Sequence, residues 1–220
     1  MRSLVAAFTV LLALGNGAVV WAAPKALRVV LASPLVEEGS GPDGCTPAVS
    51  GFGGPAVWEV RVERFLLDGK SLVETSREAK SERFPLCIAS LPVAKNAEVE
   101  LSFVTHDGAS MARVAGIVLR FADPQDFYAV EADAVARHVR LVRVVNGERR
   151  EIANHPAMLA AGKAQSLSVK TTDENFTVAL DGKALFEARD GALALPGRFG
   201  IWSRADSLTS FGDLFITILD

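Results

Sequence analysis

Glu131 and Asp133 lie two residues apart in "FYAVEADAV", a stretch whose pattern predicts a β-strand. Two residues is one full period of a strand, so both side chains leave the same face. Carboxylates paired in this way equip glycoside hydrolysis, one as acid and the other as nucleophile or base. They serve equally as part of an ordinary polar face, matched across the sheet by Arg120 or Arg140. Arg120 itself falls in "AGIVLRF", an almost unbroken apolar run where a charge is costly unless paired. It is expected either to form an ion pair beneath the sheet face or to reach into a ligand groove, near Glu131 in both cases.

A second candidate is "IWSRADS", residues 201–207. Sugar recognition uses an aromatic face against the ring and planar polar groups against hydroxyls. Trp202, Arg204 and Asp206 supply these groups and alternate on one side if the strand continues. In the plainer alternative Trp202 is core, and Arg204 and Asp206 form a surface ion pair at the strand end. The three histidines, His106, His138 and His155, share no ligand spacing, and no serine lies in a nucleophile elbow. Metal-dependent hydrolysis and a Ser-His-Asp triad therefore find little support.

The elements that must position these residues begin after residue 22. Residues 1–22 combine Arg2, an apolar run from Leu4 to Leu14 and a small-residue end with Val20 and Ala22, the layout of a signal peptide. That apolar run is too short for a bilayer span, and none of that length follows, so the chain is not expected to be membrane-spanning. The remaining residues, 23–220, fit a single all-β domain. With 23 basic against 26 acidic residues and no basic run longer than a pair, nucleic acid is excluded as a partner. Cys45 and Cys87, an even count in an exported chain, are expected to form a disulfide or to be two inert thiols. A disulfide would tie down residues 40–56, which are rich in Gly and Pro and read as a loop.

From Trp58 onward, short strand patterns alternate with turn signals, the signature of a sandwich or barrel. "ALRVVLASPLVEE" reads as a first strand. "AEVELSFVTH" puts Val99, Leu101 and Phe103 on one face, and "AGIVLRF" reads as a central strand covered on both sides. Asn146-Gly147 and Asp181-Gly182 predict tight hairpins. "NHPAMLAAGKA" reads as the one locally helical stretch, and "SFGDLFITIL" as a closing strand.

From Gly116 onward the chain resembles the concanavalin A-like lectin/glucanase superfamily. The resemblance is greatest to secreted bacterial 3-keto-disaccharide hydrolase (DUF1080) domains and laminin G-like modules. It rests on Arg120-Phe121 before an Asp-Pro turn, Phe127-Tyr128, Val139-Arg140-Leu141 with Asn146-Gly147, Leu180-Asp181-Gly182, and "GRFGIWSRADSLTSFGDLFI". The resemblance implies a jelly-roll sandwich of two antiparallel sheets, one concave and ligand-facing.

On this reading the protein is exported, periplasmic or extracellular, and non-catalytic, and it binds a carbohydrate or cell-surface polymer. Arg120, Tyr128, Glu131, Arg140 and Trp202 would line the groove, with Arg204 and Asp206 at its rim. One alternative is a glycoside hydrolase or lyase using Glu131 and Asp133; another is an adhesion module that binds protein. No cofactor is expected beyond a structural calcium of the kind related sandwiches hold at a final-strand carboxylate. Asp213 occupies that place here, although a solvated strand aspartate is the favoured reading.

Overall fold

The structure, a computed structural model, describes residues 25–64, 66, 69–108, 110 and 112–219; the expected signal peptide, 1–22, lies outside the described residues. The strands are β1 (Lys25–Val29), β2 (Cys45–Gly51), β3 (Trp58–Val62), β4 (Lys70–Glu74), β5 (Arg83–Ala94), β6 (Ala97–Thr105), β7 (Val114–Asp123) and β8 (Asp126–Asp133). They continue as β9 (His138–Val145), β10 (Glu148–Pro156), β11 (Ala164–Thr172), β12 (Asn175–Leu180), β13 (Lys183–Arg189), β14 (Gly197–Trp202) and β15 (Thr209–Ile218). One sheet has seven strands in the order β10-β9-β8-β7-β14-β5-β2. The other has eight, ordered β13-β12-β11-β6-β15-β4-β3, with β1 on β15. All pairings are antiparallel.

Period-two patterning builds the space between the sheets. Val99, Leu101 and Phe103 of β6 point inward and are fully buried, while Glu98 and Glu100 on the same strand face out. They meet Ile117, Leu119, Val130 and Leu141 of the facing sheet in one continuous core. The seven-stranded sheet also carries an apolar layer on its outer face, made of Phe84, Leu86, Ile88, Val118, Phe127, Ala129, Val142, Val144 and Trp202. Burial on both faces explains why β7 is an almost unbroken apolar run in sequence from Val114 to Leu119.

Turn chemistry is as the sequence predicts. Asn146 and Gly147 take φ of 52° and 78°, and Asp181 and Gly182 take 51° and 73°, the positive values a type I′ hairpin requires. Cys45 and Cys87 are disulfide-bonded, with Cα atoms 5.3 Å apart. The bond joins β2 to β5 and cross-links an edge strand to its only neighbour in the sheet.

Three local expectations are corrected, and one strand, β5, has no counterpart in the sequence reading. Residues 40–56 are not one loop, because Cys45–Gly51 forms β2, where Pro47 is tolerated on a sheet edge. The predicted first strand is ordered as a strand only over Lys25–Val29; the turns around Pro34 interrupt it. "NHPAMLAAGKA" is not helical: Asn154, His155 and Pro156 continue the pairing of β10 with β9, and no helix occurs among the described residues. β5 escaped the sequence reading because Pro85 and Pro92 argue against a strand. The structure accommodates Pro92 where the register of β5 against β14 jumps from Ile88 to Val93.

Candidate functional site

The outer face of the seven-stranded sheet brings the sequence candidates together along one row. Arg140 of β9 faces Glu131 of β8, Glu131 faces Gly116 of β7, and Gly116 faces Trp202 of β14. Gly116 is required by packing: a Cβ there would lie 1.8 Å from Trp202 Cδ1. The indole thus fills the space that a side chain at 116 would take. It stacks on Phe84, with centroids 5.0 Å apart and planes 13° apart, and meets Phe127 edge-on at 6.2 Å. The result is a fully buried Trp202 whose Nε1 has no partner among the described residues.

Glu131 is also fully buried, so its charge needs compensation. Its Oε1 is ion-paired with Arg140 Nε, and its Oε2 accepts a hydrogen bond from Arg149 Nη2 at 3.0 Å. The Arg149 guanidinium also lies 5.7 Å over the Phe84 ring and 5.8 Å over Trp202, a cation–π arrangement. Arg140 extends the network to Glu151 at 3.5 Å, and Asn154 Nδ2 donates to the same carboxylate at 2.7 Å. Hydrogen bonds from Asn154 and Arg140 hold the Glu151 carboxyl below its ordinary range, against the opposing effect of burial.

Asp133 shares the face with Glu131, as their spacing predicts. Its Oδ1 accepts from the backbone N–H groups of Val135 and Ala136 at 2.9 and 3.0 Å, and Arg204 Nη1 stands 3.9 Å from Oδ2. Both oxygens of Glu131 and one of Asp133 are therefore engaged by fixed donors. A proton donor for a glycosidic oxygen needs a carboxyl free to exchange its proton with the substrate; Glu131 has both oxygens taken, and Asp133 keeps only Oδ2 open, 3.9 Å from Arg204 Nη1. The charges balance, with Arg140, Arg149 and Arg204 matched by Glu131, Asp133 and Glu151.

Three expected groove residues lie elsewhere. Arg120 has a φ of 49° at a bulge where the pairing of β7 with β14 jumps from Val118 to Phe121. The extra residue breaks the alternation, so Arg120 leaves the outer face and is not near Glu131. It donates instead to the carbonyls of Lys95 (3.1 Å), Leu193 (3.0 Å) and Asp173, and sits over the Tyr128 and Phe176 rings. Tyr128 differs in parity from Glu131 and points into the core, where it is fully buried. Its hydroxyl donates to Asp190 Oδ1 at 2.6 Å and accepts from Leu193 N at 3.1 Å. Burial, reinforced by the Asp190 bond, pushes the phenol up to about 12. Asp190 is raised by burial, but bonds from Tyr128, the Ala192 N–H and Arg143 prevail and leave it below its ordinary value.

Asp206 does not alternate with Trp202, because β14 stops at Trp202 and the chain turns through Ala205 at φ 49°. Asp206 lines a separate hollow with Arg77, Ser110 and Leu208. Arg204 keeps a place at the rim through Asp133, its Nε donating to Ser81 O at 3.2 Å. Asp213 is not simply solvated: it accepts from Arg28 Nε at 2.8 Å and from Leu31 N at 2.9 Å, holding β1 against β15. No cluster of three or more His, Cys, Asp or Glu suited to a metal occurs among the described residues.

Arg149 and Phe84 were missed in the sequence. The signal for Arg149 was present, since the Asn146-Gly147 hairpin pairs Val145 with Glu148 and Val144 with Arg149, which places Arg149 on the face of Arg140. Phe84 lies on the unrecognised β5.

No protein-family profile matches the sequence, and no curated protein matches it. Solved structures do. Carbohydrate binding module CBM66 from Bacillus subtilis superposes with a TM-score of 0.60 at 17% identity, covering 80% of this chain and 97% of the module. The exoplasmic/lumenal domain of VIP36 in its Ca2+/Man-bound form gives 0.55 at 16% identity, over 74% and 83%. Domain 4 of AbnA, a GH43 extracellular arabinanase from Geobacillus stearothermophilus, in complex with arabinotriose, gives 0.54 at 10% identity, over 88% and 93%. These likenesses establish the fold, an all-β jelly-roll sandwich of concanavalin A-like architecture.

Proposed function

We propose that the protein is an exported, non-catalytic carbohydrate-binding domain that holds a neutral sugar on the outer face of its seven-stranded sheet. The observation that carries this reading is the Glu131 network: a fully buried carboxylate clamped by Arg140 and Arg149 above a Phe84–Trp202 stack. Such an array fixes hydrogen-bonding groups in place before a ligand arrives, which reduces the ordering cost of binding. Its balanced charge suits hydroxyls better than a charged ligand. Trp202 acts as the bed on which Arg149 lies, rather than as the stacking surface expected from the sequence.

The binding of sugars by structures of this fold, named in the Ca2+/Man-bound and arabinotriose-bound forms, supports the reading. The Cys45–Cys87 bridge supports export to an oxidising compartment, periplasmic or extracellular. A hydrolase or lyase of the 3-keto-disaccharide hydrolase (DUF1080) type is disfavoured, because it needs two working carboxyls and both oxygens of Glu131 are already held by Arg140 and Arg149.

The test is calorimetric titration of the purified chain with neutral sugars chosen from a glycan array, with the same mixtures assayed for product. Saturable binding without product is expected, weakened about tenfold or more by Glu131→Gln or Arg149→Ala, the scale of a lost charge-assisted hydrogen bond. Binding unchanged in both variants would remove the site from the Glu131 network.

A further inference from the structure

The same outer face carries a second, differently built place. Four residues before Trp202 on β14, Arg198 pairs with Phe121, which the β7 bulge returns to the outer side. The Arg198 guanidinium lies 5.2 Å over the Phe121 ring and has no hydrogen-bond or ion-pair partner among the described residues. Arg140, Arg149 and Arg204, by contrast, are held by carboxylates. Together Arg198 and Phe121 form one wall of a groove of about 230 Å³, completed by Pro47 of β2, Ile88 of β5, Asp123 at the end of β7 and Pro124 in the turn that follows.

The lining selects a chemistry. An anion entering the groove meets Asp123, and a cation meets Arg198. An uncharged ring places its C–H face on the exposed Pro47, backed by the buried Ile88 and Phe121, and offers vicinal hydroxyls to the guanidinium and to Asp123 Oδ2, Asp123 Oδ1 already accepting from Gln125 N at 2.7 Å. Position adds a length. From Glu131 on β8 the groove lies two strands across the sheet and four residues along it, a diagonal of roughly 16 Å, longer than one sugar ring and the reach of a short oligosaccharide.

We propose that the Arg198–Phe121 groove is a second sugar subsite, so that the outer face takes a neutral oligosaccharide laid diagonally across the strands rather than a single terminal sugar. The proposal rests on the carbohydrate-binding reading of the Glu131 network and adds a second contact to it. Arg198 supplies donors at the far end, and Asp123 accepts beside it.

The experiment compares mannose, arabinose and glucose with their linear oligomers of two to six units, by calorimetry on the full chain and on Arg198→Ala and Arg198→Gln. Circular dichroism and thermal melts check that the variants are folded. A series whose affinity rises about tenfold between monomer and tetramer, with that rise lost in both variants while monomer affinity stays the same, establishes the subsite. A tetramer that binds no tighter than its monomer, or variants that keep the rise, overturns the subsite and leaves the carbohydrate reading standing. Absence of binding by every monomer and oligomer overturns both.

Discussion

Removing Arg140 and Arg149 together will cost more than the two single removals added, because each guanidinium substitutes for the other in compensating one carboxylate. Arg149→Ala deletes a 3.0 Å charge-assisted hydrogen bond and the cation–π contacts with Phe84 and Trp202. Hydrogen bonds to charged groups contribute about 1.5–3 kcal/mol and an exposed cation–π contact ~0.5–1 kcal/mol. The Arg149 side chain is 26% exposed, so water recovers part of this. A single loss of about 2–3 kcal/mol is therefore expected for Arg149→Ala, and a similar one for Arg140→Ala, since Glu131 retains one partner in either variant.

The double variant leaves Glu131, fully buried in the native fold, without a cation. An uncompensated buried charge adds a penalty that neither single variant carries, so the coupling should exceed ~1 kcal/mol in the destabilising direction. Removing the orphan as well, with Glu131→Leu on top of the double variant, should recover part of the loss. The assay is urea unfolding monitored by circular dichroism, with midpoints compared at equal slope. Additivity within ~0.5 kcal/mol, or a triple variant no more stable than the double, would refute the compensation argument.

Three further outcomes are expected. Gly116→Ala drives a Cβ into the Trp202 indole and should cost about 1–3 kcal/mol while shifting the tryptophan emission, since Trp202 must leave its buried bed; an unchanged spectrum and midpoint would count against the fit. Reducing the Cys45–Cys87 bridge, which spans 42 residues of sequence, should lower stability by about 4 kcal/mol on the chain-entropy estimate, seen as a lower melting temperature in dithiothreitol. Tyr128 is the chain's single tyrosine, so absorbance at the phenolate band reports it alone, and its midpoint should fall near 12 rather than 10. Since the folded phenol is raised, its contribution to stability is intact below pH 10 and is lost as pH rises toward 12. Asp190, lowered in the fold, acts at the other end, and its contribution fades as pH falls through the carboxylate range.

Alternation and turn chemistry carried the sequence reading a long way. Val99, Leu101 and Phe103 declared their face, and Asn146-Gly147 and Asp181-Gly182 declared their hairpins, because each signal is local and has a period. Glu131 and Asp133 fell on one face by the same rule. The reading failed where the period is broken by tertiary context. A bulge moves Arg120 to the sandwich end, a strand end at Trp202 separates Asp206 from the indole, and a register jump lets β5 keep Pro92. None of these has a local signature, since a bulge depends on which strand lies alongside. Arg149 is different in kind, since the hairpin register that places it is legible from Asn146-Gly147 two residues further along.

The outer face also explains how a sheet can expose polar groups without being an ordinary wet surface. Val118, Ala129 and Val142 lie on that face and are nonetheless fully buried, packed in one apolar cluster with Trp202, Phe84 and Phe127. Arg149 then lies on the aromatic layer, and Glu131 is sealed beneath it with no water contact of its own. In this order of layers the apolar groups fix the arginines, and the arginines in turn fix the carboxylate. Each donor is thus held by two kinds of force, dispersion from below and charge from the side. A face assembled this way loses little side-chain freedom when hydroxyls replace water on it. The prediction that separates this view from an ordinary polar surface is the coupling between Arg140 and Arg149: independent surface charges would add, and a shared buried carboxylate cannot.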